Sequence, residues 1–208
     1  FVSLEDVENA ITEKTILISV MFANNEIGTI EPVCEIGEIA HKHGILFHTD
    51  AVQAMCHVPI NVTEMNIDLL SASAHKFHGP KGVGFMYMKN SAKLEPFIHG
   101  GAQERARRAG TSNVPGIVGM GQAVKLALST LDKDTHTIIN MRNYIVDRIL
   151  GEIPDVTFDG PCIDANAVSA GSPAGSLKRL PSNMHFCFKD VSGDSLLIML
   201  DMNGICAS

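Results

Sequence analysis

Two segments decide the fold of this chain: ILFHTDAVQ, residues 45–53, and DLLSASAHKFHGPKGVG, residues 68–84. Each begins with a short apolar run that predicts a strand, and each then turns polar. Asp50 closes the first strand, and Ser73-Ala74-His75-Lys76 follows at the end of the second. Open α/β sheets bind their ligands at the carboxyl ends of the strands. The two segments therefore predict polar side chains converging on one crevice at the edge of a sheet.

The same alternation of strand and helix patterns extends outward from these segments. TILISVMF, residues 15–22, is a continuous apolar, β-rich run, as expected of a strand buried on both faces. Pro32 begins a helical pattern that Gly44 ends, a capped helix is predicted over residues 3–11, and GFMYMK, residues 84–89, predicts a further strand. Strands separated by helices indicate βαβ units, so the fold class is α/β with a mostly parallel sheet.

The pattern changes after Gly116. Two amphipathic helices are predicted there, over residues 117–131 and 135–150, and a loop rich in Ala, Ser, Gly and Pro follows over residues 160–175. A strand is then predicted over residues 183–188, a helix over residues 195–202 and the start of another strand over residues 205–207. The chain therefore divides into part of a large domain, connecting helices and part of a smaller α+β domain (residues 1–115, 116–150 and 151–208).

Composition excludes several classes of protein. The 208 residues carry 16 Lys+Arg against 23 Asp+Glu, and this net charge of -7 argues against nucleic acid or an anionic membrane as the main partner. The longest apolar stretch, residues 16–23, is far shorter than the roughly 18 residues of a membrane helix. With no signal peptide in view, a cytoplasmic location is expected. The chain starts at Phe1, and we expect it to be a fragment lacking both ends.

No metal site is predicted. The five cysteines are an odd number without C-x-x-C spacing, which disfavours a disulfide framework or a structural zinc site and favours a reducing compartment. His41 and His43 lie two residues apart on a predicted helix, so they face different sides and cannot share a metal there.

The residues at the two strand ends suggest a particular chemistry when they are taken together. A lysine amine forms a Schiff base once its pKa is lowered, and an aspartate beside a pyridine nitrogen keeps that nitrogen protonated, so that the ring accepts electrons. Hydroxyl and imidazole donors next to the lysine suit a phosphate group. Taken singly, each residue has a simpler explanation: Asp50 as a helix cap and Lys76 as a solvated surface group.

Four blocks, in this order and spacing, resemble the NifS/IscS-type cysteine desulfurases: FANNEIG, HTDAVQ, SASAHKFHGPKGVG and GGAQERARRAGT. These are enzymes of the class V aminotransferase group with the pyridoxal-phosphate (PLP)-dependent transferase fold of type I. The resemblance implies that residues 1–115 are part of a large PLP-binding domain. It further implies a PLP-dependent enzyme that converts L-cysteine to L-alanine and transfers the sulfur to one of its own cysteines as a persulfide.

Individual roles follow from the resemblance. Lys76 matches the catalytic lysine that holds PLP covalently and moves protons. Asp50 matches the partner of the pyridinium nitrogen, Gln53 the partner of the phenolic oxygen, and Ser73 with His75 the phosphate ligands. Asn25 matches an asparagine near the cofactor and the substrate carboxylate. Thr111 matches a threonine that reaches the phosphate in the neighbouring subunit, which implies a homodimer.

The implied partners are L-cysteine and an iron–sulfur scaffold or another sulfur acceptor. No membrane and no nucleic acid are expected, with tRNA reached only indirectly through thiolation proteins. Two alternatives stay open: a selenocysteine lyase or class V aminotransferase, and a non-catalytic dimerisation module. The persulfide cysteine is expected beyond Ser208, because Cys206 aligns with a strand residue, and the fragment alone is expected to be inactive.

Overall fold

The computed structural model describes residues 1–162 and 177–208. The loop predicted over residues 160–175 therefore lies outside the described residues, apart from its first positions. The helices are α1 (Leu4–Ala10), α2 (Val33–Lys42), the short α3 (Gln103–Ala106), α4 (Val114–Glu152) and α5 (Gly193–Met202). The strands are β1 (Leu17–Met21), β2 (Leu46–Asp50), β3 (Leu69–Ser73), β4 (Gly84–Met88), β5 (Val156–Phe158) and β6 (Phe186–Phe188), and a 3-10 turn spans Ala74–Phe77.

The main sheet has the strand order β1-β2-β3-β4. The first three strands are parallel, and β4 returns antiparallel to β3. The predicted α/β fold with a mostly parallel sheet is therefore confirmed. The prediction of a strand buried on both faces over residues 15–22 is wrong within the described residues, because β1 lies at an edge of the sheet and its side chains are exposed or half-buried. Fully buried aromatic side chains lie in the core, among them Phe22, Phe47 and Phe77. Their burial fixes the strand ends from which the candidate site is built.

The helix signals in the sequence locate the helix ends closely. Ser3 caps α1, because its hydroxyl accepts a hydrogen bond of 3.2 Å from the Asp6 N–H. Pro32 is the residue before the first turn of α2, and Gly44 follows that helix in the left-handed conformation, with φ of 68°. Only glycine adopts that conformation without strain, so a helix ends readily there.

The region after Gly116 differs from the prediction in one respect. The two predicted helices, residues 117–131 and 135–150, form one helix of 39 residues, α4. Asp132, Lys133 and Asp134 between them are polar but carry no glycine or proline signal, so the backbone hydrogen bonds continue through them. The cap is Asn113, whose Oδ1 accepts 3.1 Å from the Gly116 N–H. By length and composition alone this helix could cross a membrane, a property that it shares with core helices of soluble proteins.

The second sheet is small and antiparallel, and it pairs β5 with β6. Of the strand predicted over residues 183–188, only the second half forms. The strand predicted over residues 205–207 is wrong within the described residues, because the Ile205 N–H donates to the Leu200 carbonyl at 2.9 Å and closes the end of α5 instead. The division into domains stays a prediction.

Candidate active site

The carboxyl ends of β1, β2 and β3 bring the predicted site residues to one edge of the main sheet. Asp50, the last residue of β2, lies between Met21 of β1 and Ser71 of β3 in the strand register. Pairing continues past the strand ends, since the Phe22 N–H donates 2.8 Å to the Asp50 carbonyl and the Ala51 N–H donates 2.9 Å to the Ser71 carbonyl. The loops that leave these strands therefore start from a rigid frame.

Asp50 presents a carboxylate at this edge. One oxygen, Oδ1, accepts a hydrogen bond of 2.9 Å from the Val52 N–H, and the side chain is exposed. The simpler explanation, a helix cap, is wrong, because no helix forms in the described residues 51–68 between β2 and β3 and the contact is that of an Asx-type turn. The contact also orients the carboxylate. Gln53 follows in the same turn and is half-buried.

Lys76 lies in the 3-10 turn directly after β3. Its backbone is held firmly: the His57 Nε2 donates 2.9 Å to the Lys76 carbonyl, and the next residue, Phe77, is 1% exposed in the core. His78 closes the turn in the left-handed conformation, with φ of 64°. The Lys76 side chain itself is exposed. A fixed backbone with an exposed amine suits a lysine that must reach a ligand.

Ser73 and His75 form a pair of hydrogen-bond donors next to this lysine. The Ser73 Oγ and the His75 Nδ1 share a hydrogen bond of 2.9 Å. This arrangement orients the imidazole so that its Nε2 faces away from the hydroxyl. A hydroxyl and an imidazole at a strand end can both donate to a phosphate oxygen.

His48 of β2 is a further titratable group beside Asp50 that the sequence analysis did not single out. Its Nδ1 shares a hydrogen bond of 2.8 Å with the Ser19 Oγ, and its Nε2 shares one of 3.3 Å with the Ser71 Oγ. Burial lowers the pKa of His48, and the Asp50 carboxylate opposes this shift. The ring is therefore neutral at neutral pH and links three strands just below the site edge.

Asn25 lies on the loop that leaves β1. The preceding residue, Asn24, shapes this loop, because its Oδ1 accepts hydrogen bonds from the Glu26 N–H at 2.8 Å and from the Ile27 N–H at 3.0 Å. Asn183 holds the loop from outside, with its Nδ2 donating to the carbonyls of Asn25 at 3.2 Å and Glu26 at 2.7 Å. The Asn25 side chain is exposed. The loop backbone is thus fixed while the amide faces solvent.

Arg179 fixes Asn183 in turn, and sequence reasoning missed both residues. Arg179 is 3% exposed and donates to the Asn183 Oδ1 at 2.7 Å, to the Pro161 carbonyl at 2.8 Å and to the Asp159 carbonyl. Burial, together with the charge of Arg142, lowers the pKa of Arg179 to about 10, so the guanidinium stays charged at neutral pH. We call Arg179 and Asn183 the loop clamp.

Backbone pairing reinforces the loop clamp. The Leu180 N–H donates 2.8 Å to the Gly28 carbonyl, and the Ile30 N–H donates 3.0 Å to the Lys178 carbonyl. Gly28 has φ of 74°, and a Cβ there would lie 2.4 Å from the Asn183 Oδ1. A side chain at position 28 would therefore push the clamp away from the loop.

Thr111 is not joined to these residues. It lies on the exposed segment between α3 and α4, and within residues 1–162 and 177–208 it makes no hydrogen bond to the other predicted site residues. Its predicted role at a neighbouring subunit stays a prediction. The structure thus assembles Asn25, Asp50, Ser73, His75 and Lys76 at one edge, with Gln53 beside them.

The residues at this edge fit PLP by their chemistry. An exposed lysine amine, an exposed carboxylate and a hydroxyl–imidazole pair are the three kinds of group that a pyridine aldehyde phosphate requires. They arise from two adjacent parallel strands, which is the expected position of a ligand in an open α/β sheet.

Comparison with known proteins gives a consistent result. The aminotransferase class-V family matches residues 1–208. A protein named cysteine desulfurase IscS from Clostridium botulinum (strain Hall) is 52% identical over 208 residues, which are 100% of this chain and 49% of that protein. The protein of the same name from Methanosarcina thermophila is 48% identical over 207 residues, 100% of this chain and 48% of that protein.

Solved structures agree with these relatives. A NifS-like protein superposes with a TM-score of 0.86 at 36% identity, covering 100% of this chain and 53% of that one. A NifS-like protein from Rickettsia africae gives a TM-score of 0.84 at 29% identity, covering 100% of this chain and 54% of that one. The chain spans about half the length of the curated relatives that it matches.

Proposed function

The chain belongs to the aminotransferase class-V family, and from that premise we propose that its protein is a PLP-dependent cysteine desulfurase. The substrate is L-cysteine, and the products are L-alanine and a cysteine persulfide on the enzyme. The observation that carries the proposal is the convergence of Asp50, Ser73, His75 and Lys76 at one sheet edge.

Each residue has a task in binding or proton transfer. Lys76 attaches PLP through its Nζ and afterwards serves as the base that moves the substrate α-proton. Asp50 keeps the ring nitrogen protonated, and Gln53 donates to the phenolic oxygen. Ser73 and His75 donate hydrogen bonds to the phosphate. When bound, PLP supplies the sink for the electron pair that the α-proton leaves behind.

The loop after β1 orients the substrate. Asn25 offers an exposed amide that can donate to the substrate carboxylate, and the loop clamp holds its backbone in place. An enzyme thiolate attacks the substrate sulfur, so that the C–S bond breaks and an S–S bond forms. The electron pair of the C–S bond stays on the β-carbon, which takes up the proton that the substrate thiol loses, and Lys76 returns the α-proton before alanine leaves. We assign that thiolate to none of the five cysteines of this chain.

The proposal extends to partners and location. The relatives named IscS support transfer of the persulfide sulfur to an iron–sulfur scaffold or another acceptor. We further propose a homodimer in which Thr111 reaches the site of the neighbouring subunit, and a cytoplasmic location.

The test is the visible spectrum of the full-length protein with PLP, recorded with and without L-cysteine for wild type, Lys76→Ala and Lys81→Ala. Lys81 is an exposed lysine in the next turn, between the 3-10 turn and β4, and serves as the control. Wild type and Lys81→Ala should show a PLP band that responds to cysteine, and alanine formation should fall by about 100-fold or more in Lys76→Ala. A band that ignores cysteine would refute the desulfurase activity and favour an aminotransferase, and a protein without any band would refute PLP binding.

A further inference from the structure

The small sheet formed by β5 and β6 has two chemically different faces. Phe158, Phe186 and Phe188 lie on one face, with ring centroids 5.3 Å apart for the first pair and 6.1 Å for the second. Side chains alternate along a strand, so the residues between these phenylalanines point to the other face. That second face carries Asp159, His185 and Cys187.

Strand register brings these three side chains together. Cys187 lies opposite Thr157, and Phe186 lies opposite Phe158, which places His185 beside Asp159 at the end of the pair. The Asp159 N–H donates 3.0 Å to the His185 carbonyl and extends the pairing by one residue. The backbone therefore holds all three side chains on one short, paired segment.

The donor atoms are close enough to share one ion. The Asp159 Oδ2 lies 3.0 Å from the His185 Nδ1 and 3.0 Å from the Cys187 Sγ, and all three atoms lie within 4.8 Å of one another. Bonds of about 2.0–2.3 Å to a tetrahedral zinc ion place its ligands roughly 3.3–3.7 Å apart. Shifts of a few tenths of an ångström would thus replace the two hydrogen bonds by bonds to a metal.

We propose that Asp159, His185 and Cys187 form a binding site for a divalent transition-metal ion of the zinc class. The donor set is one carboxylate oxygen, one imidazole nitrogen and one thiolate sulfur, which suits zinc and is unsuited to Mg²⁺ or Ca²⁺, ions that take oxygen ligands. Binding releases the Cys187 thiol proton to solvent, and His185 binds as the neutral ring through its Nδ1.

Exposure and charge at this face favour the site. The side chains of His185 and Asp159 are 41% and 35% exposed, so the ion can enter from solvent and keep a water molecule as its fourth ligand. The nearest buried cation, Arg179, stacks on the Phe158 ring at 4.1 Å and thus lies on the aromatic face of the sheet. The metal-binding face is distinct from the edge of the main sheet that carries Lys76.

From the sequence no metal site is expected, because the cysteines lack C-x-x-C spacing. That criterion does not detect this site, because Cys187 is its single cysteine and its carboxylate, Asp159, directly follows β5, 28 residues away along the chain.

The experiment uses full-length PLP-free protein and the metals Zn²⁺ and Co²⁺ alone. Zn²⁺ affinity is measured by competition with a chromophoric chelator for wild type, Cys187→Ser and Asp159→Asn, with Cys206→Ser as the control. Cys206 is exposed and lies outside the cluster. Loss of a partner that only orients a ligand costs 10–100-fold in metal affinity, so loss of a ligand should cost more than about 100-fold. The control should bind like wild type.

Co²⁺ identifies the ligands directly. Wild type and Cys206→Ser should show a thiolate-to-cobalt charge-transfer band with the visible bands of a tetrahedral ion, and Cys187→Ser should lose the charge-transfer band. Because Cys187 is exposed, its replacement should leave the thermal midpoint of the metal-free protein unchanged. Equal Zn²⁺ affinity in wild type and Cys187→Ser, or a cobalt spectrum without thiolate character, would overturn the proposal.

Discussion

The loop clamp leads to a prediction about a residue far from Lys76 in the chain. Arg179→Lys keeps the positive charge and most of the aliphatic stem, but a single ammonium cannot bond the Pro161 carbonyl, the Asp159 carbonyl and the Asn183 Oδ1 together. Arg179 is 3% exposed and its three hydrogen bonds are partly buried, so an acceptor that loses its donor regains only part of that bond from water.

The magnitude follows from these contacts. A hydrogen bond to a charged group contributes about 1.5–3 kcal/mol, and we expect the shorter ammonium to retain one or two of the three. The free energy of unfolding should therefore fall by about 1.5–6 kcal/mol, the loss of one or two such bonds. Arg148→Lys is the control, because Arg148 is 54% exposed and pairs with Glu152 on the helix surface, where such a change costs about 0.5 kcal/mol or less.

Two assays on the full-length PLP-free protein separate the stability effect from the loop effect. Urea unfolding followed by far-UV circular dichroism gives the free energy, and amide hydrogen exchange reports the backbone at Glu26 and Ile27. Exchange at these two amides should accelerate in Arg179→Lys and stay unchanged in Arg148→Lys.

Asn183→Asp isolates the last contact of the clamp. The aspartate keeps the oxygen that accepts from Arg179, but it has no N–H for the Asn25 and Glu26 carbonyls. Exchange at the loop should therefore accelerate while the Arg179 bonds remain. If Arg179→Lys unfolds like wild type, or if neither variant alters exchange in the loop, the clamp does not hold Asn25 and the reasoning is refuted.

Two further predictions concern the main sheet and its packing helix. Burial raises the pKa of Asp68, but hydrogen bonds from the Phe47 N–H and the Lys89 ammonium outweigh this effect and hold the pKa below its usual value. The ionised Asp68 therefore stabilises the fold fully above the unfolded pKa, and this stabilisation is lost as pH falls through the lower folded pKa. Asp68→Asn should lower the free energy of unfolding by about 1–2 kcal/mol at pH 7, and urea titrations should show this difference beginning to shrink below about pH 4 and disappearing only below the lowered folded pKa; a difference independent of pH would contradict it. A Cβ at Gly37 would lie 2.4 Å from the Met65 carbonyl oxygen, so Gly37→Ala should cost about 1–3 kcal/mol despite the better helix propensity of alanine. Gly121→Ala, with open space around its Cβ, should be neutral or stabilising by up to about 1 kcal/mol, and equal thermal midpoints for the two variants would refute the argument.

Local signals made the main sheet predictable. The strands are short apolar runs, and Pro32 and Gly44 mark the ends of α2 through backbone conformations that these residues favour. Asp50 could be placed at the site because a polar residue directly after an apolar run must lie at the strand's carboxyl end. Two helices were predicted in place of the continuous α4, because the polar residues 132–134 resemble a turn. These residues do not interrupt helical hydrogen bonding.

The loop clamp could not be predicted, since its contacts join residues far apart in the sequence. Asn183 and Asn25 are 158 positions apart, and neither lies in a periodic pattern that indicates the partner. Arg179 also stands next to Lys178 in an ordinary basic pair. Its burial results from tertiary packing that brings the segment after β5 close to the loop after β1, which no local property of the segment encodes.

Asp159 contacts the loop clamp and also belongs to the proposed metal site, through different atoms. Its backbone carbonyl accepts from Arg179, whereas its carboxylate accepts from His185 and Cys187. A substitution such as Asp159→Asn removes the charged ligand but keeps the carbonyl, so metal affinity should fall while exchange in the Asn25 loop stays as in wild type. Arg179→Lys alters the clamp and leaves the three metal donors in place. Each variant alters either the loop clamp or the metal site and leaves the other unchanged. The positioning of Asn25 and the binding of a metal ion are therefore tested by separate measurements.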